Sequence, residues 1–394
     1  MATITRAPEA APARRQTLDV SVVIPCLNEA ETIAVCVRKA RASMRREGLS
    51  GEVIVVDNGS SDQSPDIARS AGARVVPEDR RGYGNAYLAG FRAAEGRYIV
   101  MGDGDDTYDF DLVGRFVEPL EQGADMVMGS RLKGHIHKGA MPALHRYVGN
   151  PVLTGILNLF YGSGVSDAHC GMRAFRRNAL DHLDLRMPGM EFASEMVIRA
   201  SKAGLRIDEI PIEYHPRRGE SKLNSFRDGW RHLRFLLIHS PTHLFLIPGA
   251  ALALLGIIGM LAILADLSIF GRQWSLHSMI AASMLTIAGA QVIGLGLCAR
   301  AYGVHHMGER DPLLERFEGR LRLEHGLLAG FAVLIAGLAI AGAVVMTWIG
   351  RGFGALGEEQ LAILSLTLLV VGLQIVFTSF LLSIVGLRRA DRAH

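Results

Sequence analysis

Four long uncharged runs constrain this chain most: Leu244–Ala265, Ser278–Ala299, Leu327–Gly350 and Leu361–Leu387. Each reaches the ~20 residues that a helix needs to cross ~30 Å of hydrocarbon. Soluble helices of that length almost always carry charge, so four membrane spans are expected. Charge is partitioned to match. Of the 81 Asp, Glu, Lys and Arg residues, 62 lie within residues 1–243, and no lysine follows Lys222. A hydrophobic content of 49% and a mean hydropathy of +0.23 are too high for an ordinary soluble chain and exclude a disordered one. The 394 residues therefore divide into a soluble part followed by a membrane part.

Arginine sets the expected orientation. The connector Arg300–Gly326 holds five Arg and the tail Arg388–His394 three, whereas Asp266–His277 and Arg351–Gln360 hold one each. The positive-inside rule puts both termini and the middle connector in the cytosol, so the soluble part faces the nucleotide pools, as in a multi-pass protein of a bacterial inner membrane. The spans contain no acidic or basic residue, which argues against an ion or proton pathway. Gln291 and Gln374 lie inside spans and read as interhelical hydrogen-bonding partners rather than lipid-headgroup contacts. Small residues at Gly337, Ala341 and Gly342 permit helix association, so an oligomer is possible.

A net charge of +3 gives no case for nucleic-acid binding. The four Cys (Cys26, Cys36, Cys170, Cys298) form no CxxC pair and no Cys/His metal pattern, as in a reduced cytosolic domain. Residues 1–18 read as a flexible polar tail, not a signal peptide. Between residues 19 and 224, strand and helix alternate. Val20–Pro25, Glu52–Val56, Arg74–Val76, Arg97–Met101 and Asp125–Met128 read as strands; Glu29–Glu47, Gly84–Glu95 and Asp111–Gln122 read as helices. That pattern predicts an α/β domain with a mostly parallel sheet. Ligands of such sheets sit beyond the carboxyl ends of the strands. The polar clusters fall there: Pro25 to Glu29, Asp57 to Asp62, and Asp103 to Asp106. No G-x-G-x-x-G follows the first strand and there is no P-loop, which disfavours NAD enzymes and P-loop NTPases.

Residues 225–243 read as an amphipathic helix. Phe226, Trp230, Leu233 and Leu237 share one face and Arg227, Arg231 and Arg234 lie elsewhere. A helix in the interface of an anionic leaflet is expected, with a core helix of the soluble domain as the alternative. At the end of the fourth strand, Asp103, Asp105 and Asp106 would repel one another unless a cation joined them. A hard divalent ion, Mg²⁺ or Mn²⁺, held through Asp103 and Asp105 relieves that conflict and would neutralise a leaving diphosphate.

The motifs, taken in order, resemble those of the family 2 glycosyltransferases, and within them the polyprenyl-phosphate glycosyltransferases of the dolichol-phosphate-mannose synthase type. The matching residues are Val22-Val23-Ile24-Pro25-x-x-Asn28-Glu29, Val55 to Asp62, Arg81-Gly82-x-Gly84-Asn85-Ala86, Asp103-x-Asp105, Gly129-Ser130-Arg131, Asp167-x-x-Cys170-Gly171-x-Arg173, Glu195 and Gly219 to Leu223. The resemblance covers residues 20–240 and implies a GT-A domain. It implies a nucleotide pocket at Pro25, Asn28, Glu29 and Asp57, and a diphosphate and ribose contact at Arg81 and Gly82. Asp103 and Asp105 become ligands of the metal and the nucleotide-sugar. Arg131, Arg146, Arg173 and either Arg217 or Arg218 become an acceptor-phosphate cluster around the catalytic Asp105. Two departures stand out: Asn58 replaces a second Asp, and Thr107 stands where such members often have Gln, so that part of the metal shell falls to water or Asp106.

The implied reaction is inverting transfer of one sugar, from UDP-glucose or GDP-mannose, to undecaprenyl or dolichyl phosphate at the cytosolic membrane face. A phosphate monoester is largely a dianion above its second pKa of ~6, so it needs cations rather than a general base. Two alternatives compete. A processive polysaccharide synthase lacks support because no Q-x-x-R-W element precedes Trp230-Arg231. A non-catalytic scaffold or lipid-linked-sugar transporter sits poorly with the intact Asp103-x-Asp105 pair. Lys133–Ala143 reads equally as a lid or as a solvated loop. His169 reads as packing rather than as a base, Glu195 as an Arg partner or a surface carboxylate, and Lys222 as a phosphate or headgroup contact.

Overall fold

A computed structural model describes residues 18–218, 225–268, 274–307, 323–353, 355 and 357–387. The N-terminal tail, the Gly219–Leu223 motif with Lys222, and most of the arginine-rich middle connector lie outside the described residues. The chain divides into two compact units, one reaching to Leu236 and the other starting at Leu237.

The first unit is built on seven strands: β1 (Val20–Cys26), β2 (Gly51–Asp57), β3 (Arg74–Pro77), β4 (Tyr98–Met101), β5 (Met126–Ile136), β6 (Arg173–Arg176) and β7 (Ile207–Tyr214). Their order across the sheet is β3-β2-β1-β4-β6-β5-β7, and all pairings are parallel except those of β6 with β4 and β5. β1 is apolar but for Ser21, because both of its faces are covered. Val22 and Ile24 point into one core, with Ile33 and Val37 of α1 (Ile33–Arg46), Ala68 of α2 (Ser64–Ser70), and Phe116 and Leu120 of the helix Val113–Glu121. Val23 points the other way, into a core with Tyr87 and Phe91 of α3 (Tyr83–Ala93) and Phe192 and Met196 of the helix Phe192–Lys202. β1, β2 and β4 run side by side in one direction, so the segments that follow them emerge at one edge of the sheet.

Two elements depart from the sequence reading. β5 extends to Ile136, because beyond a bulge between Ser130 and His135 it keeps pairing with β7. Lys133–Ile136 is therefore strand, and the candidate lid shrinks to the residues after it. The helix over residues 225–238 contributes Phe235 and Leu236 to the second core, and Tyr161 Oη donates to the Leu236 carbonyl at 3.0 Å. It is thus a core helix by that face, while Trp230 on another face is 61% exposed.

The second unit contains four helices long and apolar enough to cross a membrane: Thr242–Leu264, Leu276–His306, Leu323–Gly350 and Glu359–Gly386. Leu254, Ile258, Phe377 and Leu381 are exposed, as lipid-facing side chains would be. Polar groups pair across helices instead: Gln374 Nε2 donates to Gln291 Oε1 at 3.0 Å, and Ser283 and Thr367 share a 2.7 Å bond. Gly337 is used within the chain, against Leu369, and Gly342 faces open space.

Gly90 fixes the height of α3 on the sheet. A Cβ there would come within 2.3 Å of Val23 Cγ1 and 2.9 Å of Val56 Cγ2. Gly90→Leu must lift α3, an overpacking that costs ~1–3 kcal/mol. The expected outcome is a lower thermal midpoint of the purified protein, followed by circular dichroism; an unchanged midpoint would show that α3 is not held at that height.

Candidate active site

The carboxyl edge of β1, β2 and β4 gathers the predicted residues. After β1, Asn28 takes a left-handed conformation (φ 54°). Its side-chain oxygen accepts from the Ser61 amide at 2.8 Å, and its own amide donates to Ser60 Oγ at 3.1 Å. The turn after Pro25 is thereby tied to the turn after β2, where Asp57 Oδ1 accepts from the Ser60 amide at 3.0 Å. The next residue, Asn58, is buried. Its amide nitrogen donates to the Glu78 and Arg80 carbonyls at 2.8 and 2.9 Å, and its oxygen accepts from the Gly82 amide at 2.8 Å. Asn58 thus sets the position of Arg81, whose exposed side chain carries no ion pair among the described residues.

Gly82 has φ 141°, and a Cβ there would meet the Pro188 carbonyl oxygen at 2.3 Å. Its amide is already bonded to Asn58, so its part is backbone shape rather than a free donor. Pro188 is held close by a network that sequence reasoning caught only in part. Glu195 is buried and accepts from the Arg186 and Met187 amides at 3.0 and 2.8 Å, and from Arg199 Nε at 3.0 Å. It has an Arg partner, and it also clamps the loop that packs on Gly82 and Gly84.

Asp103 follows β4. Its Oδ1 accepts from Tyr83 Oη at 3.0 Å and Tyr87 Oη at 3.1 Å. Burial, and then the charge of Asp105, push its carboxyl up to about 6. Its Oδ2 lies beside Gly171, where a Cβ would stand 2.8 Å away, so the glycine keeps that oxygen uncovered. Asp105 is 8% exposed. Its Oδ1 accepts from Thr107 Oγ1 at 2.6 Å and from the Thr107 amide at 3.2 Å, leaving Oδ2 at 3.4 Å from Arg217 Nη1. Arg217 Nη2 also reaches Glu29 Oε1 at 2.6 Å. Two adjacent carboxylates with uncommitted oxygens are hard donors of the kind that Mg²⁺ and Mn²⁺ take, so this pair fits a divalent ion. Asp106 does not belong to it: Asp106 turns away, to Lys39 Nζ at 3.0 Å. Thr107 acts through its hydroxyl on Asp105. Tyr83 and Tyr87 were not anticipated; their only sequence signal is an i, i+4 spacing on the helix after β3.

Two of the expected cluster's arginines are already committed to partners within the protein. Arg173 is fully buried and spends its donors on the carbonyls of Cys170, Ala193 and Ala168 at 2.7–2.8 Å. It cannot reach a phosphate without tearing those contacts, so it positions the loop that contains Gly171. Arg131 is buried in a bidentate pair with Asp167, at 2.8 and 2.9 Å, and its guanidinium lies 5.1 Å over the Tyr214 ring. It too is committed. Arg146 and Arg218 carry no ion pair among the described residues, and Arg218 is exposed. Between Arg217 and Arg218, Arg217 is the one that enters the acidic cluster. His169 is half-buried and packs against the buried His232, with ring centres 4.7 Å apart, and desolvation drives its pKa well below the ordinary value. It packs, as expected.

Residues 21–184 match glycosyl transferase family 2, and residues 297–386 match the glycosyltransferase family 2 C-terminal transmembrane region. The low-salt glycan biosynthesis hexosyltransferase Agl6 of Haloferax volcanii is 44% identical over 367 residues, covering 93% of this chain and 89% of that one. A dolichyl-phosphate hexose transferase of the same organism is 36% identical over 213 residues, or 54% of this chain and 89% of its own. An undecaprenyl-phosphate 4-deoxy-4-formamido-L-arabinose transferase of Edwardsiella ictaluri is 30% identical over 297 residues, or 72% and 88%. With a GT-A sheet whose carboxyl edge holds the Asp103-x-Asp105 pair, and four apolar helices following it in sequence, the chain belongs to glycosyltransferase family 2.

Proposed function

We propose that this glycosyltransferase moves a single hexose, with inversion, from a nucleotide-diphosphate sugar to a polyprenyl phosphate at the cytosolic face of the membrane. UDP-glucose and GDP-mannose are the donors to test. The observation that carries the reading is the pair Asp103 and Asp105, each held through one oxygen and left with the other for a metal, beside Arg217. Asp103 Oδ1 is held by two tyrosines, Asp105 Oδ1 by Thr107, and Glu29 holds Arg217. With the remaining oxygens given to the ion, neither aspartate is left to deprotonate a sugar hydroxyl. An acceptor phosphate, largely ionised at neutral pH, needs no such base. Two of the relatives are themselves named for dolichyl-phosphate and undecaprenyl-phosphate transfer.

In this reading Asn28 and Asp57 shape the nucleotide pocket and Arg81 meets the diphosphate. A divalent ion held by Asp103 and Asp105 supplies charge neutralisation of the leaving diphosphate. Arg217 crosses from Glu29 to Asp105 and is placed to orient a phosphate oxygen for in-line attack on the anomeric carbon. Arg146 and Arg218 are available to attract the acceptor. Arg131 and Arg173 keep the floor of the site rigid. The exposed Trp230, with Arg231 and Arg234 nearby in sequence, suits a helix that meets headgroups.

The test is transfer by purified, full-length protein in detergent, given polyprenyl phosphate, Mg²⁺ or Mn²⁺ and each labelled donor in turn. One organic-extractable product from one donor is expected, abolished by chelation and restored by the metal. Folded protein that gives no product with any donor, or a polymer in place of a single addition, would overturn the proposal. Asp105→Asn is expected to lower turnover by ~10²-fold or more with circular dichroism unchanged; undiminished transfer would favour the scaffold alternative. Arg217→Lys loses its two-pronged geometry and is expected to cost ~10–10²-fold in kcat/KM, whereas Arg218→Lys changes it by only a few-fold. Arg131 and Arg146 separate by a different readout. Asp167→Ala leaves Arg131 buried without its partner, a loss of ~3–5 kcal/mol seen as a lowered unfolding midpoint. Arg146→Ala leaves the midpoint in place and raises the KM for the lipid phosphate.

A further inference from the structure

A second group of metal-ligating side chains lies on the ribbon formed by the far ends of β5 and β7. The two strands pair in parallel with His135 opposite Glu213 and Ile136 opposite Tyr214. The His137 amide then donates to the Tyr214 carbonyl at 3.0 Å. Side chains alternate across a strand, so this register sorts them into two faces. Ile136 and Tyr214 turn inward: Ile136 is 6% exposed and Tyr214 lies under Arg131 and against Tyr108. His135, His137, Glu213 and His215 share the other face. The His137 and His215 rings stack with centres 4.4 Å apart, and the His135 ring lies 4.7 Å from that of His137. His137 Nε2 is 3.0 Å and His215 Nε2 3.8 Å from Glu213 Oε2.

We propose that His137, Glu213 and His215 form a binding site for a zinc-class divalent ion, distinct from the Asp103 and Asp105 pair. One ligand atom from each of the three lies within 4.8 Å of the others. Ligand atoms around a tetrahedral zinc, at bond lengths of ~2.0–2.1 Å, stand ~3.3 Å apart, so side-chain rotation closes the difference without moving the strands. Two imidazoles and one carboxylate select zinc over Mg²⁺, which prefers oxygen ligands alone. The fourth position falls to water or to His135. The ion would join the ends of two strands that lead to different parts of the active site. β5 continues through His137 toward the helical turn holding Arg146, and His215 stands two residues before Arg217. Binding would fix where those two arginines begin, without touching a substrate.

The experiment uses full-length protein purified without a polyhistidine tag, stripped with chelator and titrated with Zn²⁺ alone. Bound metal is counted by mass spectrometry after removal of the free ion. About one zinc per chain is expected. His137→Gln and His215→Gln should each weaken binding by at least ~10-fold, and the double variant should retain none above background. Asp105→Asn should retain zinc like the wild type. Co²⁺ in place of Zn²⁺ should give the visible absorption of a tetrahedral site, lost in the double variant. A zinc-dependent rise in unfolding midpoint in the wild type, absent from a double variant whose metal-free midpoint equals that of the wild type, would separate lost ligands from lost folding. Failure of the wild type to retain zinc, equal retention by the double variant, or loss of zinc in Asp105→Asn would each overturn the proposal.

Discussion

Two carboxylates at the end of one strand are the constraint around which the rest of the site is arranged. Asp103 and Asp105 lie where burial and mutual repulsion oppose ionisation, and Asp103 is pushed up to about 6 in consequence. Each neighbouring feature offsets part of that cost. Tyr83 and Tyr87 donate to Asp103, Thr107 donates to Asp105, and Arg217 brings one positive charge shared with Glu29. One cation does not balance three carboxylates. The surplus negative charge, with oxygens left uncovered, is what makes the pair suited to a divalent ion.

The buried arginines serve the same constraint from beneath. A guanidinium that is fully desolvated must have its donors satisfied, or it costs several kcal/mol. Arg173 satisfies them with the carbonyls of Ala168 and Cys170, just before Gly171, and of Ala193, and that glycine is what leaves Asp103 Oδ2 open. Arg131 satisfies them with Asp167 and covers its flat face with Tyr214. The family resemblance implies a phosphate contact for both residues; in the structure both guanidinium groups are paired within the protein itself.

Most of the fold was legible because its signals are local or periodic. The apolar runs gave the spans, and the strand-end polar clusters gave the edge on which the site is built. The end of β5 was missed because Lys133, Gly134 and His135 carry no strand periodicity; pairing with β7 holds them, and that is a tertiary effect. The partners of Arg131 and Arg173 were not legible for a related reason. Sequence shows that a cation is present, but not whether a partner 36 positions away, as Asp167 is from Arg131, has already claimed it. The helix over residues 225–238 combines features of both sequence readings: the core takes Phe235 and Leu236, while Trp230 stays outside.

The two departures from the family pattern have a common explanation in donor counting. An aspartate at position 58 could accept from the Gly82 amide but, when ionised, could not donate to the Glu78 and Arg80 carbonyls, which would lose that partner. Asparagine satisfies all three at once, so here the position serves the course of the chain into Arg81 rather than its charge. Threonine at position 107 likewise gives up the reach of a longer amide, and in exchange its hydroxyl and amide both fix the rotamer of Asp105. In each case the residue present holds a neighbour in place, Asn58 the chain leading into Arg81 and Thr107 the carboxylate of Asp105. Under the proposed function, contact with substrate then falls on few side chains, Arg217, Asp103 and Asp105 among them.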